Sequence, residues 1–203
     1  SRRSNAATYT GLHGVIRNLY SELPEARLRG YKPGQFSFNS EGACPSCDGS
    51  GEDANGPTMS WGTAVCASCG GRRYRREVLE VRFREHSIAD ILDLDVTQAC
   101  ELFAAIPEAA RRLQLLADLG LGYLVLGQPA STLSGGEAQR VKLAADLGRP
   151  MMAGTVYILD EPTSGLHPHD VGYLVELLQR LVDRGNTVIV VEHNLQLIAT
   201  SDY

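Results

Sequence analysis

Residues 134–137, Ser-Gly-Gly-Glu, have the pattern of a helix start that can contact an anion. Ser134 is a favourable N-cap, and Glu137 three residues later completes a capping box. Gly135 and Gly136 leave the first turn without side chains, so backbone N–H groups can approach a phosphate, which the helix dipole also attracts. We therefore interpret these four residues as contacts to a bound nucleotide.

Three further residues have the chemistry of nucleotide hydrolysis. Asp160 and Glu161 follow the apolar segment 155–159, and His193 follows the apolar segment 187–191. An Asp in this position can hold Mg²⁺ through water, and the adjacent Glu can orient and polarise the water that attacks a γ-phosphate. If the two segments are parallel strands, His193 lies at the same sheet edge as Asp160 and can hydrogen-bond that phosphate.

Four of the five cysteines form two C-x-x-C pairs, Cys44 with Cys47 and Cys66 with Cys69. Two such pairs supply four thiolates, the ligand set of a tetrahedral structural zinc. The segment between them is too polar to fold without such a staple. We predict one zinc ion here, and we expect Cys100, which lies alone in an apolar helical pattern, to be a small buried side chain.

Directly after the last of these cysteines comes a basic aromatic cluster, Arg72, Arg73, Tyr74, Arg75 and Arg76. Arginines pair with phosphates and a tyrosine can stack on bases, so we predict that this cluster contacts DNA. The alternative is a solvated charged turn. The formal net charge of -5 does not by itself predict nucleic-acid binding.

Apolar spacing predicts helices over parts of 9–23, 87–106 and 111–121, after Ser134, over 170–184 and after Asn194. It predicts strands at Phe36–Phe38, over 76–83, and over 155–159 and 187–191. Short apolar strands that alternate with helices favour an α/β class with a buried parallel sheet.

Taken together, "LSGGE", "LDEP", "SGLH" and "VEHN" resemble the signature, Walker B, D-loop and H-loop of ATP-binding-cassette ATPases. The longer strings "RSNAATYTG", "GYKPGQFSFN", "LSGGEAQRVKLA", "ILDEPTSGLHPHD" and "GNTVIVVEHN" resemble the UvrA family, the damage-sensing ATPases of bacterial nucleotide excision repair. The resemblance covers nearly the whole chain and corresponds to the C-terminal cassette of that family.

The resemblance implies that residues 1–126 are an inserted α+β signature-type domain, with the zinc module at 41–76. Residues 127–203 would then be the second half of an ATPase core. No lysine here belongs to a phosphate-binding G-x-x-x-x-G-K-[ST] loop, because Lys32 precedes a proline and Lys142 a leucine. We expect that loop upstream of Ser1, and we expect negligible ATP hydrolysis by this segment alone.

The resemblance also implies partners and cofactors. These are ATP with Mg²⁺, damaged double-stranded DNA, another cassette of the same chain, a second copy of the parent and a UvrB-like repair partner. The signature residues would complete the other cassette's ATP site, and residues 3–11 would face DNA. We expect a cytoplasmic protein without membrane contact, because no signal-like segment or membrane-length apolar run is present.

Three alternatives stay open from the sequence. A UvrA-like paralogue in drug self-resistance would share all these motifs. A DnaJ-like protein-binding module fits "CPSCDGSG", although only two C-x-x-C pairs occur. A chromosome-structure ATPase with a zinc hook is the least favoured, because it would need long heptad arms around the cysteines and residues 1–130 show none.

Overall fold

The computed structural model describes residues 4–53, 58–59, 62–148 and 154–202. Packing divides the chain into two compact units. The first consists of Ser1–Leu94 and Val125–Pro129, and the second of Asp95–Leu124 and Ala130–Tyr203. The predicted domain boundary at residue 126 stays a prediction. Over the described residues, no helix combines the length and apolar character that crossing a membrane requires.

Short helices and turns build the first unit. Its helices are α1 (Ala6–Tyr9), α2 (Leu12–Glu22), α3 (Pro24–Leu28) and α4 (Ile88–Asp93). The helix predicted within 9–23 is confirmed as α2, which buries the face on which Leu12, Ile16 and Tyr20 recur every four residues. Ser87 and Asp90 form a capping box that begins α4.

The two strands predicted in this unit were wrong. Around Phe36 and Phe38 the chain makes consecutive turns, with Phe36 N–H donating to the Pro33 carbonyl, and both rings are fully buried. Val78–Glu80 is a 3₁₀ helix. Val78 and Val81 are both buried, and their three-residue spacing suits the 3₁₀ period better than strand alternation.

The cysteine-bearing segment is an irregular antiparallel hairpin. Isolated bridges pair Ala43 with Tyr74 and Glu52 with Val65. Near the hairpin tip, β1 (Thr58–Met59) pairs antiparallel with β2 (Gly62–Thr63). The hairpin therefore brings the first C-x-x-C pair beside the second.

The second unit combines helices with a parallel pair of strands. The helices are α5 (Val96–Leu102), α6 (Pro107–Asp118), α7 (Gly135–Leu147), α8 (Pro168–Asp183) and α9 (Leu195–Ile198). Helix α6 contacts α5, α7 and α8. The predicted helices are confirmed, and Asn194 caps α9 through the backbone N–H groups of Gln196 and Leu197.

The strands are β3 (Val156–Asp160) and β4 (Thr187–Val191), and they pair in parallel. The register runs from Val156 opposite Thr187 to Asp160 opposite Val191. This confirms the α/β class and the parallel direction, and both strands end at one edge. The expectation that the sheet is buried was wrong for these two strands, because alternate side chains, among them Ile158 and Ile189, face solvent.

Candidate functional site

The residues after β3 and β4 meet at this shared edge. Glu161 N–H donates to the Val191 carbonyl at 2.8 Å, which extends the pairing one residue past β3. The His193 Nε2 atom lies 3.8 Å from Glu161 Oε1, and both side chains are more than half exposed. His193 therefore lies at the same sheet edge as Asp160, as predicted, and approaches Glu161 on a solvent-exposed surface.

Glu161 begins a tight turn with an unusual backbone. Its φ of 44° lies in the left-handed region, which costs a residue with a side chain about 1–2 kcal/mol. The turn closes with a hydrogen bond of 3.0 Å from Ser164 N–H to the Glu161 carbonyl. Contacts from outside the turn must hold this conformation.

Glu192 is one such contact, and it was not among the residues predicted from the sequence. One carboxylate oxygen accepts from the backbone N–H of Thr163 at 2.9 Å and from the Thr163 hydroxyl. The other accepts from the N–H groups of His193 and Asn194 at 2.6 and 2.8 Å. Burial alone would raise the pKa of Glu192, but these hydrogen bonds lower it to about 2. The signal in the sequence that could have indicated this residue is an acidic side chain directly after β4 and directly before His193.

The predicted capping box at the start of α7 is confirmed. Ser134 Oγ accepts from Glu137 N–H, and the Glu137 carboxylate accepts from Ser134 N–H at 2.8 Å. The other Glu137 oxygen accepts from the Tyr123 hydroxyl at 2.6 Å, and this hydrogen bond is the main cause of the lowered pKa of Glu137. Glu137 therefore holds the helix start together. A side chain on Gly135 would meet open space.

The four paired cysteines form one cluster. Their sulfur atoms all lie within 4.8 Å of one another, and the Sγ atoms of Cys47 and Cys69 are 3.7 Å apart. A tetrahedral zinc with Zn–S bonds of about 2.3 Å would hold its sulfurs about 3.8 Å apart. Donor type, number and spacing therefore suit one tetrahedral metal ion. Cys100 lies outside the cluster and is half-buried rather than fully buried.

Of the predicted DNA-contact cluster, Tyr74 lies in the core. Only 1 % of its surface is exposed, its ring meets Phe38 edge-on, and its hydroxyl hydrogen-bonds His13 Nε2 at 3.0 Å. Arg73 lies over the Phe38 ring and donates to the Gly49 carbonyl. In this fold the Tyr74 ring is not available to stack on a base, and both residues brace the cysteine hairpin.

The other three arginines are at the surface. Arg72 forms an ion pair with Asp90, and Arg75 and Arg76 are exposed. A DNA contact by these residues stays a prediction.

Comparison with known proteins identifies the family. A family model described as "AAA domain, putative AbiEii toxin, Type IV TA system" matches residues 125–201. UvrABC system protein A of Thermus thermophilus is 54% identical over 206 residues, and that of Methanothermobacter thermautotrophicus is 53% identical over 203. The crystal structure of UvrA2 from Deinococcus radiodurans matches the whole chain at 50% identity with a TM-score of 0.86. The chain belongs to the UvrA family.

This UvrA-family chain covers only part of its relatives. The alignments with the Thermus and Methanothermobacter proteins each span 99% of the chain but only 21% of the relative. The chain covers 25% of the UvrA2 structure. For this chain, the activity and partners of a whole UvrA protein are therefore proposals.

The buried His13 of this UvrA-family chain makes the stability of the fold depend on pH. Burial, and then the charges of Arg17 and Arg73, lower the pKa of His13 to about 3. Between pH 6.5 and 3 the unfolded chain binds a proton at this residue and the folded chain does not, so stability falls with falling pH. We expect His13→Gln, which can still hydrogen-bond Tyr74, to remove this contribution.

The measurement is chemical denaturation of the wild type and of His13→Gln, monitored by circular dichroism, at pH values from about 7.5 to about 5. The free energy of unfolding of the wild type should fall more steeply than that of His13→Gln, by a difference that approaches about 1.4 kcal/mol per pH unit. The cysteine cluster is common to both chains, so its own titration cancels. Parallel curves would show that His13 does not carry this pH dependence.

Proposed function

We propose that this chain is part of an ATP-hydrolysing, DNA-binding protein of nucleotide excision repair. The observation that carries the proposal is the meeting of Glu161 and His193 beyond Asp160, at the edge where two parallel strands end. Membership of the UvrA family supports the same function. The ATP-site residues of this chain would act in the longer parent protein.

In the proposed site each residue has one task. Asp160 would hold Mg²⁺, which would supply positive charge to the phosphates. Glu161 orients and polarises the attacking water, and His193 donates a hydrogen bond to the γ-phosphate. Ser134, Gly135 and Gly136 offer the α7 N-terminus to a nucleotide held by the other cassette.

The test is steady-state ATP hydrolysis by the full-length parent. Glu161→Gln keeps the shape of the side chain but removes its charge, so we expect kcat to fall at least about a hundredfold. The matched control is Glu176→Gln on the surface of α8, where the acid pairs with Arg180. Turnover that survives Glu161→Gln would refute the proposed site.

We also propose that Cys44, Cys47, Cys66 and Cys69 hold one structural zinc ion. A zinc ion would fix both arms of the hairpin at once, and such sites contribute on the order of 10–16 kcal/mol in small modules. The four thiolates would complete its coordination, so the ion would be structural and not catalytic.

Metal analysis of freshly purified chain tests the zinc site. We expect one equivalent of zinc, which Cys47→Ser should reduce below half an equivalent because three thiolates remain. Cys100→Ser is the control and should keep the full equivalent, since Cys100 lies outside the cluster. Less than half an equivalent in the wild type would overturn the proposal.

The surface arginines after the cysteine hairpin are the proposed DNA contacts. Arg75 and Arg76 are exposed, and Arg72 offers its exposed part beside Asp90. Such charges pair with backbone phosphates, and these contacts do not distinguish one base sequence from another. Recognition of a lesion would instead come from the lower cost of bending and unstacking a damaged duplex.

We expect the parent to bind a duplex with one bulky lesion more tightly than the intact duplex. Arg75→Glu combined with Arg76→Glu should weaken both complexes and reduce the slope of log K against log salt by about 0.9 for each lost contact. Arg27→Glu on α3 is the control. Unchanged binding would exclude the arginine contacts, and equal binding of both duplexes would favour the drug self-resistance paralogue.

The remaining proposals rest on the family alone. The parent would form a homodimer, join a UvrB-like repair partner and work in the cytoplasm. Size-exclusion chromatography with light scattering on the parent tests the first of these.

A further inference from the structure

We propose that Arg140 is a positioning residue for ATP hydrolysis, which fixes the turn 161–164 against helix α7. The inference rests on the proposed function, because it assumes that Glu161 orients the attacking water. It adds a residue that contacts no nucleotide and acts through the backbone of this turn.

The contacts of Arg140 are specific to the turn. Its side chain leaves α7 with only 2 % of its surface exposed. Its Nη1 donates to the Ser164 carbonyl at 2.9 Å and to the Pro162 carbonyl at 3.3 Å. A guanidinium presents several donors in one plane, so a single side chain can hold two carbonyls of one turn.

Gly136 makes room for this contact. A Cβ atom at this position would lie 3.3 Å from Arg140 Nη1 and 3.4 Å from the Ser164 carbonyl oxygen. The small residue in the first turn of α7 therefore lets the helix, the guanidinium and the turn pack tightly. This gives Gly136 a second reason to be a glycine, besides backbone approach to a phosphate.

Glu192, which directly follows the neighbouring strand β4, holds the same turn. It accepts hydrogen bonds from both the N–H and the hydroxyl of Thr163, while Arg140 donates to the carbonyls on either side of Thr163. Glu192 thus accepts from the hydrogen-bond donors of the turn, and Arg140 donates to its acceptors. Together they offset the cost of the left-handed Glu161 backbone.

Arg140 lies on the helix whose first turn carries Gly136 and whose N-cap is Ser134. A nucleotide that displaces this first turn would move the guanidinium and, through it, the turn that carries Glu161. One buried side chain therefore connects the two groups of residues assigned above to ATP.

The test compares Arg140→Gln, Arg140→Lys and a control in the full-length parent, with kcat and KM for ATP as readouts. Arg140→Gln should lower kcat at least about tenfold and leave KM within about threefold, because the turn is misplaced while nucleotide contacts remain. Arg140→Lys keeps the charge and can still donate to a carbonyl, so it should recover most of the lost rate. Arg180→Gln, at an exposed position of α8, should match the wild type.

A second readout separates positioning from folding. In a Glu161→Gln background, the stoichiometry of a bound fluorescent ATP analogue should be the same with and without the additional change Arg140→Gln. Unchanged kcat, a raised KM alone, or loss of nucleotide sites without recovery in Arg140→Lys would each overturn the inference. If Glu161→Gln retained full turnover with Arg140 in place, the proposed function would fail instead.

Discussion

The parallel pairing of β3 with β4 is the constraint on which the candidate nucleotide site depends. In the observed register Asp160 lies opposite Val191, so Glu161 and His193 emerge at the same edge. A slip of one residue would turn every side chain of one strand to the other face. The meeting of acid and histidine therefore requires both the parallel direction and this register.

Buried and half-buried side chains fix the irregular segments that neither helix nor sheet supports. In the second unit Arg140 and Glu192 hold the turn after Glu161 from two sides. In the first unit the Tyr74 ring packs on Phe38, and its hydroxyl reaches His13 on α2. The cysteine hairpin is thereby tied to the helical part of its own unit, independently of any metal ion.

Elements whose signal is local could be predicted from the sequence. The signals for four features come from residues close together in the chain. These features are the capping box of Ser134, helix α2, the strands β3 and β4, and the C-x-x-C pairs. Phe36 and Phe38 alternate like a strand, but tertiary packing buries both rings in turns.

Features that depend on contacts distant in sequence could not be predicted. Arg140 and Glu192 hold residues more than twenty positions away, and the partner of Tyr74 is on α2. Nothing in a basic aromatic string distinguishes a buried ring from an exposed one.

The most direct test of the nucleotide site is a structure of the full-length parent with Mg²⁺ and a non-hydrolysable ATP analogue. We predict that the γ-phosphate lies within hydrogen-bond distance of His193 and next to Glu161. A γ-phosphate away from this sheet edge would contradict the assignment.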